Sequence, residues 1–312
     1  MMVWLLLGLG LVILVFAGDA LVKGAVNLSL RLGIPPLIVG LTVVGFGTSS
    51  PELIVSVKAA LAGQSGIALG NVVGSNIANV FVILGLPALI AVMHTSKIDT
   101  RKPFLIMLGV SVIFTAMAFM GTFGRLSGLF LLALLVLILW DAARDGMKAR
   151  NDGSVDDLEG AEPDMPWWKI IGYLAVGLVG LPIGADLLVD NAVIIAKTFE
   201  VPETVIGLTL VAVGTSLPEL AATTVAALRR QADVAIGNVI GSNYFNLAGI
   251  IGVAAVISPM PVEQTFLDRD LWVMLGAALM LVPFVYLKQD IGRIWGIVLL
   301  ALYAAYATVA LI

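Results

Sequence analysis

The sequence predicts an all-α integral membrane protein of ten transmembrane helices, built as two inverted-topology repeats of five. Three observations carry that prediction. The 312 residues are 60% hydrophobic and only 12% charged, with a mean hydropathy of +1.07, whereas a soluble domain is about half apolar and about a quarter charged. Apolar runs long enough to cross a bilayer, which takes about 20 residues each, recur at short intervals along the chain. Residues 33–90 and 200–257 also align without a gap at an offset of 167 positions, with roughly 26 identities.

Taken in order, the spans fall near 3–22, 36–60, 67–92, 103–122 and 126–143, then 168–196, 203–228, 234–257, 271–287 and 294–311. Met1 to Phe16 is as apolar as the middle of a signal peptide but lacks its cationic start. The repeat also reaches this region: Asp19, Leu21, Val22, Ala25 and Val26 match Asp186, Leu188, Val189, Ala192 and Val193. It therefore reads as a span of the first repeat. Asp145 to Asp164 is rich in Asp, Glu, Gly and Asn and has no apolar period, which marks a solvated linker. The chain thus divides into residues 1–144, an acidic linker 145–164, and residues 165–312.

Five spans per half is an odd number, so the second copy enters the membrane from the side opposite to the first. The positions of Lys and Arg test this independently. With the N-terminus outside, 4 of the 17 basic residues, Lys58, Arg125, Lys197 and Arg269, fall on the outer side. All the others, from Lys23 and Arg31 to Lys288 and Arg293, fall inside. Both termini are expected outside and the linker in the cytoplasm.

A net charge of −4 and a pI near 5.0 leave no basic stripe for nucleic acid. Cys is absent, so neither a disulfide nor a thiolate metal site can form. The single histidine, His94, cannot build an imidazole centre and is expected at the membrane interface. No nucleophile with its base can be assembled for an enzyme, and no cofactor or protein partner is called for. The lipid bilayer is the expected surrounding.

The chemistry lies where Gly47-Thr-Ser-Ser-Pro-Glu52 and Gly214-Thr-Ser-Leu-Pro-Glu219 interrupt the hydrocarbon. Glu52 and Glu219 fall near mid-span, where an ionised carboxylate is costly unless it faces a partner or a wet cavity. No Lys or Arg sits at that depth of these spans, so a mobile cation is the natural counter-charge. Pro51 and Pro218 lack an N–H and clash with the carbonyl four residues back, which predicts helix unwinding and freed carbonyls around Gly47 and Gly214. Thr48, Ser49, Thr215 and Ser216 add hydroxyls. Asn71, Ser75 and Asn79 recur every four residues on the next span, as do Asn238, Ser242 and Asn246, so each trio lines one helix face. Oxygen donors without nitrogen or sulfur suit hard cations such as Ca²⁺ and Na⁺. Plainer roles stand beside these. Gly70 with Gly74, and Gly237 with Gly241, are small-xxx-small patterns that favour helix packing. Asp19 and Asp186 lie nearer the membrane edge and read as structural or vestibule residues.

Together with Gly70-Asn-Val-Val-Gly-Ser-Asn76 and Gly237-Asn-Val-Ile-Gly-Ser-Asn243, these motifs resemble the two alpha-repeats of the cation/calcium exchanger superfamily, in its sodium/calcium exchanger branch. The resemblance implies four ion sites at the midplane, between the second, third, seventh and eighth spans. It implies ligands from Thr48, Ser49, Glu52, Ser75 and Asn79, from Thr215, Ser216, Glu219, Ser242 and Asn246, and from the backbone carbonyls of Gly45 and Ala212. Some members, the potassium-dependent ones among them, carry Asp where this chain has Asn246. Two core carboxylates then remain, which argues against potassium dependence. The short linker leaves no room for the regulatory insertion of animal exchangers, so the chain resembles the compact prokaryotic form, resident in the inner (plasma) membrane.

The expected function is exchange of Na⁺ for Ca²⁺ by alternating access, with the first and sixth spans moving against a fixed core and the ions competing for the same oxygens. Ca²⁺/H⁺ exchange through the same two glutamates is the alternative. A cation channel is the reading from another class. Channels commonly form their pore between identical subunits, whereas an inverted repeat encloses a site within one chain.

Overall fold

The computed structural model describes residues 2–152, 162–199 and 214–311. The first half holds α1 (Met2–Leu32), α2 (Pro36–Thr48), α3 (Ser50–Leu61), α4 (Ser65–Ile90), α5 (Arg101–Ala118) and α6 (Arg125–Asn151). The second holds α7 (Trp167–Thr198), α8 (Leu217–Leu228), α9 (Ala232–Ile257), α10 (Phe266–Tyr286) and α11 (Arg293–Leu311). Among the described residues, 8 helices are long and apolar enough to cross a membrane, and 9 spans result if α2 and α3, bent by 45°, count as one. The shorter α8 belongs to the span expected at 203–228, the start of which lies outside the described residues.

Contacts between loops sort the molecule into two faces. On one, Met93 and Ile291 exchange backbone hydrogen bonds of 3.0 Å, tying the segment after α4 to the segment before α11. On the same face Lys102, at the head of α5, reaches Asp141 (2.8 Å) and Asp145 (2.6 Å) at the foot of α6, and Lys23 reaches Glu162 (2.7 Å). On the other face β1 (Thr122–Phe123) pairs antiparallel with β2 (Met260–Pro261). Each contact joins segments that a chain of ten crossings puts on the same side. Both α7 and α9 start from the first face, so α8 completes the return crossing between them.

One boundary differs from the sequence reading. Composition begins the linker at Asp145, but α6 continues as helix to Asn151. The extension is held by Lys102 on Asp145 and by Gly146 against Ile34, long-range contacts that local polarity does not reveal.

Helices α4 and α9 form the centre: 78% and 83% of their most apolar stretches are buried, against 11% to 44% for the other long spans. Lipid supplies no hydrophobic drive between helices, so close backbone approach does the packing. A Cβ on Gly177 of α7 would lie 2.5 Å from the Leu21 Cβ of α1, and one on Gly10 would lie 2.8 Å from the Leu188 nitrogen. In α9, Gly237 is as tight, 2.7 Å from the Leu37 carbonyl oxygen, and Gly241 is closer still to Leu41. These two glycines are the packing residues expected of them. Gly70 and Gly74 are roomier among the described residues, and Thr204 and Leu208, the repeat counterparts of Leu37 and Leu41, lie outside those residues.

Candidate cation site

The same backbone device opens the site in both halves. Ser49 (φ −82°, ψ 9°) separates α2 from α3, and Ser216 (φ −91°, ψ 8°) precedes α8. Both occupy the sparsely allowed region near φ −90°, ψ 0°, where many functional residues sit. Pro51 and Pro218 follow in the first turn of the new helix, where a missing N–H has no intrahelical partner to lose. Pro51 thus ends one helix and starts the next, Pro218 starts α8, and Glu52 and Glu219 fall in the first turn, the end of the helix dipole that favours a carboxylate.

Ser49-x-x-Glu52 has the spacing of a capping box, yet neither serine caps its own helix. Ser49 Oγ instead donates to Glu219 Oε1 (2.8 Å), and Ser216 Oγ donates to Glu52 Oε1 (3.0 Å). Asn71 Nδ2 donates to the Glu52 carbonyl (3.2 Å) and Ser56 Oγ (2.9 Å); Asn238 Nδ2 donates to the Glu219 carbonyl (3.3 Å) and Thr223 Oγ1 (2.9 Å). Thr48 Oγ1 reaches Asn238 Oδ1 at 3.0 Å, and Thr215 Oγ1 reaches Asn71 Oδ1 at 3.4 Å. Each bond in one half recurs in the other.

Of the remaining expected ligands, Ser75 Oγ lies 3.4 Å from Ser216 Oγ and Ser242 Oγ donates to the Gly45 carbonyl (3.3 Å). That carbonyl also receives the Ser49 N–H (3.2 Å), with Thr48 Oγ1 3.4 Å away. The Gly47 carbonyl, which Pro51 leaves without its helical donor, is taken by Ser50 Oγ (2.8 Å); Leu217, in the equivalent place, has no hydroxyl. Ala212 lies outside the described residues. Asn79 and Asn246 sit where α4 and α9 pass into π-helical turns, Asn79–Ile83 and Phe245–Ile250, a distortion common at functional sites.

Five buried side-chain polar atoms among the described residues make no hydrogen bond: Glu52 Oε2, Glu219 Oε2, Asn79 Oδ1, Asn246 Oδ1 and Thr115 Oγ1. The first four are two repeat-related pairs. Thr115 has no such partner, since Val282 occupies the matching place. Leaving a buried acceptor unpaired costs about 1–3 kcal/mol, so these four, paired by the repeat, are oxygens suited to a cation. Glu52 and Glu219 are 0% and 1% exposed. No Lys, Arg or His among the described residues forms an ion pair with either. No group of three or more His, Cys, Asp or Glu suited to a metal occurs among the described residues, so the formal charge rests on two carboxylates and the other donors are neutral.

Asn76, Asn243, Ser56 and Thr223 belong to this network although the motifs do not mark them as ligands. Their signal is present in the sequence: each pair is polar, lies in an apolar span and is related by the repeat offset. Asp19 lies off the site, its Oδ1 receiving Arg229 Nε (2.6 Å) at the end of α8, whereas the repeat counterpart of Arg229 is Ala62, so Asp186 has no equivalent pair. His94 is in an exposed loop with Nδ1 2.8 Å from Asp290 Oδ2. Partial burial pushes the Asp290 carboxyl up, but hydrogen bonds from Ser96, through its side chain and its N–H, and from His94 outweigh it and hold it below the usual aspartate range. A cavity of about 440 Å³ is lined by Lys97, Lys102, Asp141, Asp233 and Tyr244 among others; neither glutamate lines it.

The profile of the sodium/calcium exchanger protein family matches residues 2–141 and 169–312, one block in each half. The sodium/calcium exchanger MaX1 of Methanosarcina acetivorans is 36% identical, with 98% of this chain and 97% of that protein covered. The inner membrane protein YrbG of Escherichia coli K12 is 39% identical, with 86% and 84% covered. A solved structure of the sodium-calcium exchanger NCX_Mj, soaked with 2.5 mM Na⁺ and 1 mM Sr²⁺, matches with a TM-score of 0.84 at 31% identity, covering 99% of this chain and 98% of that one. A multi-pass helical fold with a duplicated polar centre, matched over nearly its whole length by exchangers, makes this chain a membrane antiporter that belongs to the sodium/calcium exchanger family.

Proposed function

We propose that this protein exchanges Na⁺ for Ca²⁺ by alternating access, both ions binding among the oxygens around Glu52 and Glu219. The observation that carries the reading is the set of four unpaired buried oxygens, two carboxylate and two amide, contributed equally by the two halves. Two carboxylates neutralise one Ca²⁺, and the hydroxyls of Thr48, Ser49, Ser75, Thr215, Ser216 and Ser242 supply further hard donors for Na⁺. Without cations the centre holds two unneutralised anions away from water, which disfavours crossing until an ion set is bound and so couples the two fluxes.

The units of the exchanger are residues 1–144 and 165–312, joined by the acidic segment 145–164. The close pairing of α1 with α7 supports their moving together against the core built on α4 and α9. The Lys and Arg distribution supports both termini outside and the linker in the cytoplasm of a prokaryotic inner membrane. The test is Ca²⁺ uptake by proteoliposomes loaded with Na⁺ and diluted into Na⁺-free medium. Uptake is expected to collapse when Na⁺ is equal on both sides; equal uptake in the two conditions overturns Na⁺ coupling. Lumenal pH recorded in Na⁺-free vesicles separates the proton-coupled alternative.

A further inference from the structure

The geometry points to Asn76 and Asn243 as positioning residues that turn the amide oxygens of Asn79 and Asn246, and not their NH₂ groups, toward the cation. This rests on the site proposed above. A side-chain amide is an ambivalent lining: its oxygen binds a cation, its NH₂ repels one, and only the hydrogen bonds around it decide which is presented. Here they decide through a relay that ends on groups able only to accept. Asn76 Nδ2 donates to the Asn243 backbone carbonyl (3.2 Å), with Met274 Sδ at 3.9 Å. Asn76 Oδ1 is thereby left to receive Asn246 Nδ2 (3.2 Å), and Asn246 Oδ1 remains unpaired. In the other half Asn243 Nδ2 faces Met107 Sδ (3.5 Å), Asn243 Oδ1 receives Asn79 Nδ2 (2.9 Å), and Asn79 Oδ1 remains unpaired.

Met107 and Met274 are themselves repeat-related, so the relay is built twice. All four asparagines are 1% to 3% exposed, which keeps water from substituting for a lost partner. The bonds also run crosswise: Asn76 of the first half orients the ligand of the second, and Asn243 of the second orients that of the first.

Ca²⁺ binding by calorimetry on the purified full chain tests this with Asn76→Leu, made alone and in an Asn246→Asp background. Aspartate carries oxygen on both sides and needs no orienting. Asn76→Leu alone is expected to weaken Ca²⁺ binding on the order of tenfold, as loss of an outer partner of a metal ligand does. In the Asn246→Asp background the same change is expected to shift affinity by less than about twofold. Unchanged affinity in Asn76→Leu, or an equal loss in both backgrounds, overturns the positioning role. If Glu52→Gln binds Ca²⁺ like the wild type, the site itself is wrong instead. Should Asn76→Leu fail to purify as a monodisperse protein, Met107→Leu with and without Asn79→Asp makes the same comparison. A loss rescued by the aspartate supports the relay, and wild-type affinity in Met107→Leu overturns it.

Discussion

Each of the two buried glutamates divides its labour between its oxygens. Oε1 is held by a serine hydroxyl from the other half, which fixes the carboxylate, while Oε2 is left unpaired. An uncompensated buried anion is a liability in the cation-free protein, on the order of several kcal/mol. Glu219→Gln keeps the shape and removes the charge. In chelator without Na⁺ the variant is therefore expected to unfold at a higher temperature than the wild type. It is also expected to lose the stabilisation that Ca²⁺ gives the wild type, about 2.7 kcal/mol at a hundredfold excess over Kd. A thermal-unfolding series with and without Ca²⁺ reads both effects, and equal Ca²⁺ stabilisation of variant and wild type contradicts the assignment. The glutamates are legible in the sequence because an acid in mid-span is rare and the repeat supplies it twice. Their serine partners are not, because Ser49-x-x-Glu52 advertises a local cap, whereas the bond formed is decided by the apposition of the two halves.

Among the helices, the sequence reveals where they exist better than how they bend. Pro51 and Pro218 announce the breaks; the structure puts the first at Ser49 and starts α8 directly after Ser216. The π-helical turns at Asn79 and Phe245 leave no local signature, since Asn-Val-Phe and Phe-Asn-Leu are compatible with an ordinary α-helix. The length of α6 is hidden for a related reason: its polar end is held by contacts distant in sequence, Lys102 on Asp145 and Ile34 against Gly146. Glycine contacts give the sharpest prediction about elements. Gly177→Ala forces a methyl into Leu21, a clash that costs about 1–3 kcal/mol, and is expected to lower the unfolding midpoint by separating α1 from α7. Gly109→Ala, with nothing within 4 Å of its Cβ among the described residues, is expected to leave the midpoint unchanged. Equal behaviour of the two variants contradicts close α1–α7 packing.

The molecule as a whole behaves as two copies of one unit meeting at a centre neither could build alone: among the described residues, both serine–glutamate bonds and both amide relays run between halves. Internal repetition makes this arrangement readable from the residues alone, because an odd number of spans forces the copies to oppose. The orientation proposed from the Lys and Arg distribution can be checked on a chain that has no cysteine. An impermeant maleimide applied to intact cells is expected to label Gln264→Cys, on the face carrying β2, and to label Gln289→Cys only after permeabilisation. The reverse pattern contradicts the proposed topology. The most direct measurement on the central claim is Na⁺-gradient-driven Ca²⁺ uptake by vesicles containing wild type, Glu52→Gln or Glu219→Gln at equal density. Uptake is expected from the wild type alone, with both variants at the level of empty vesicles; uptake by either variant at the wild-type rate would contradict a cation site built on the two glutamates.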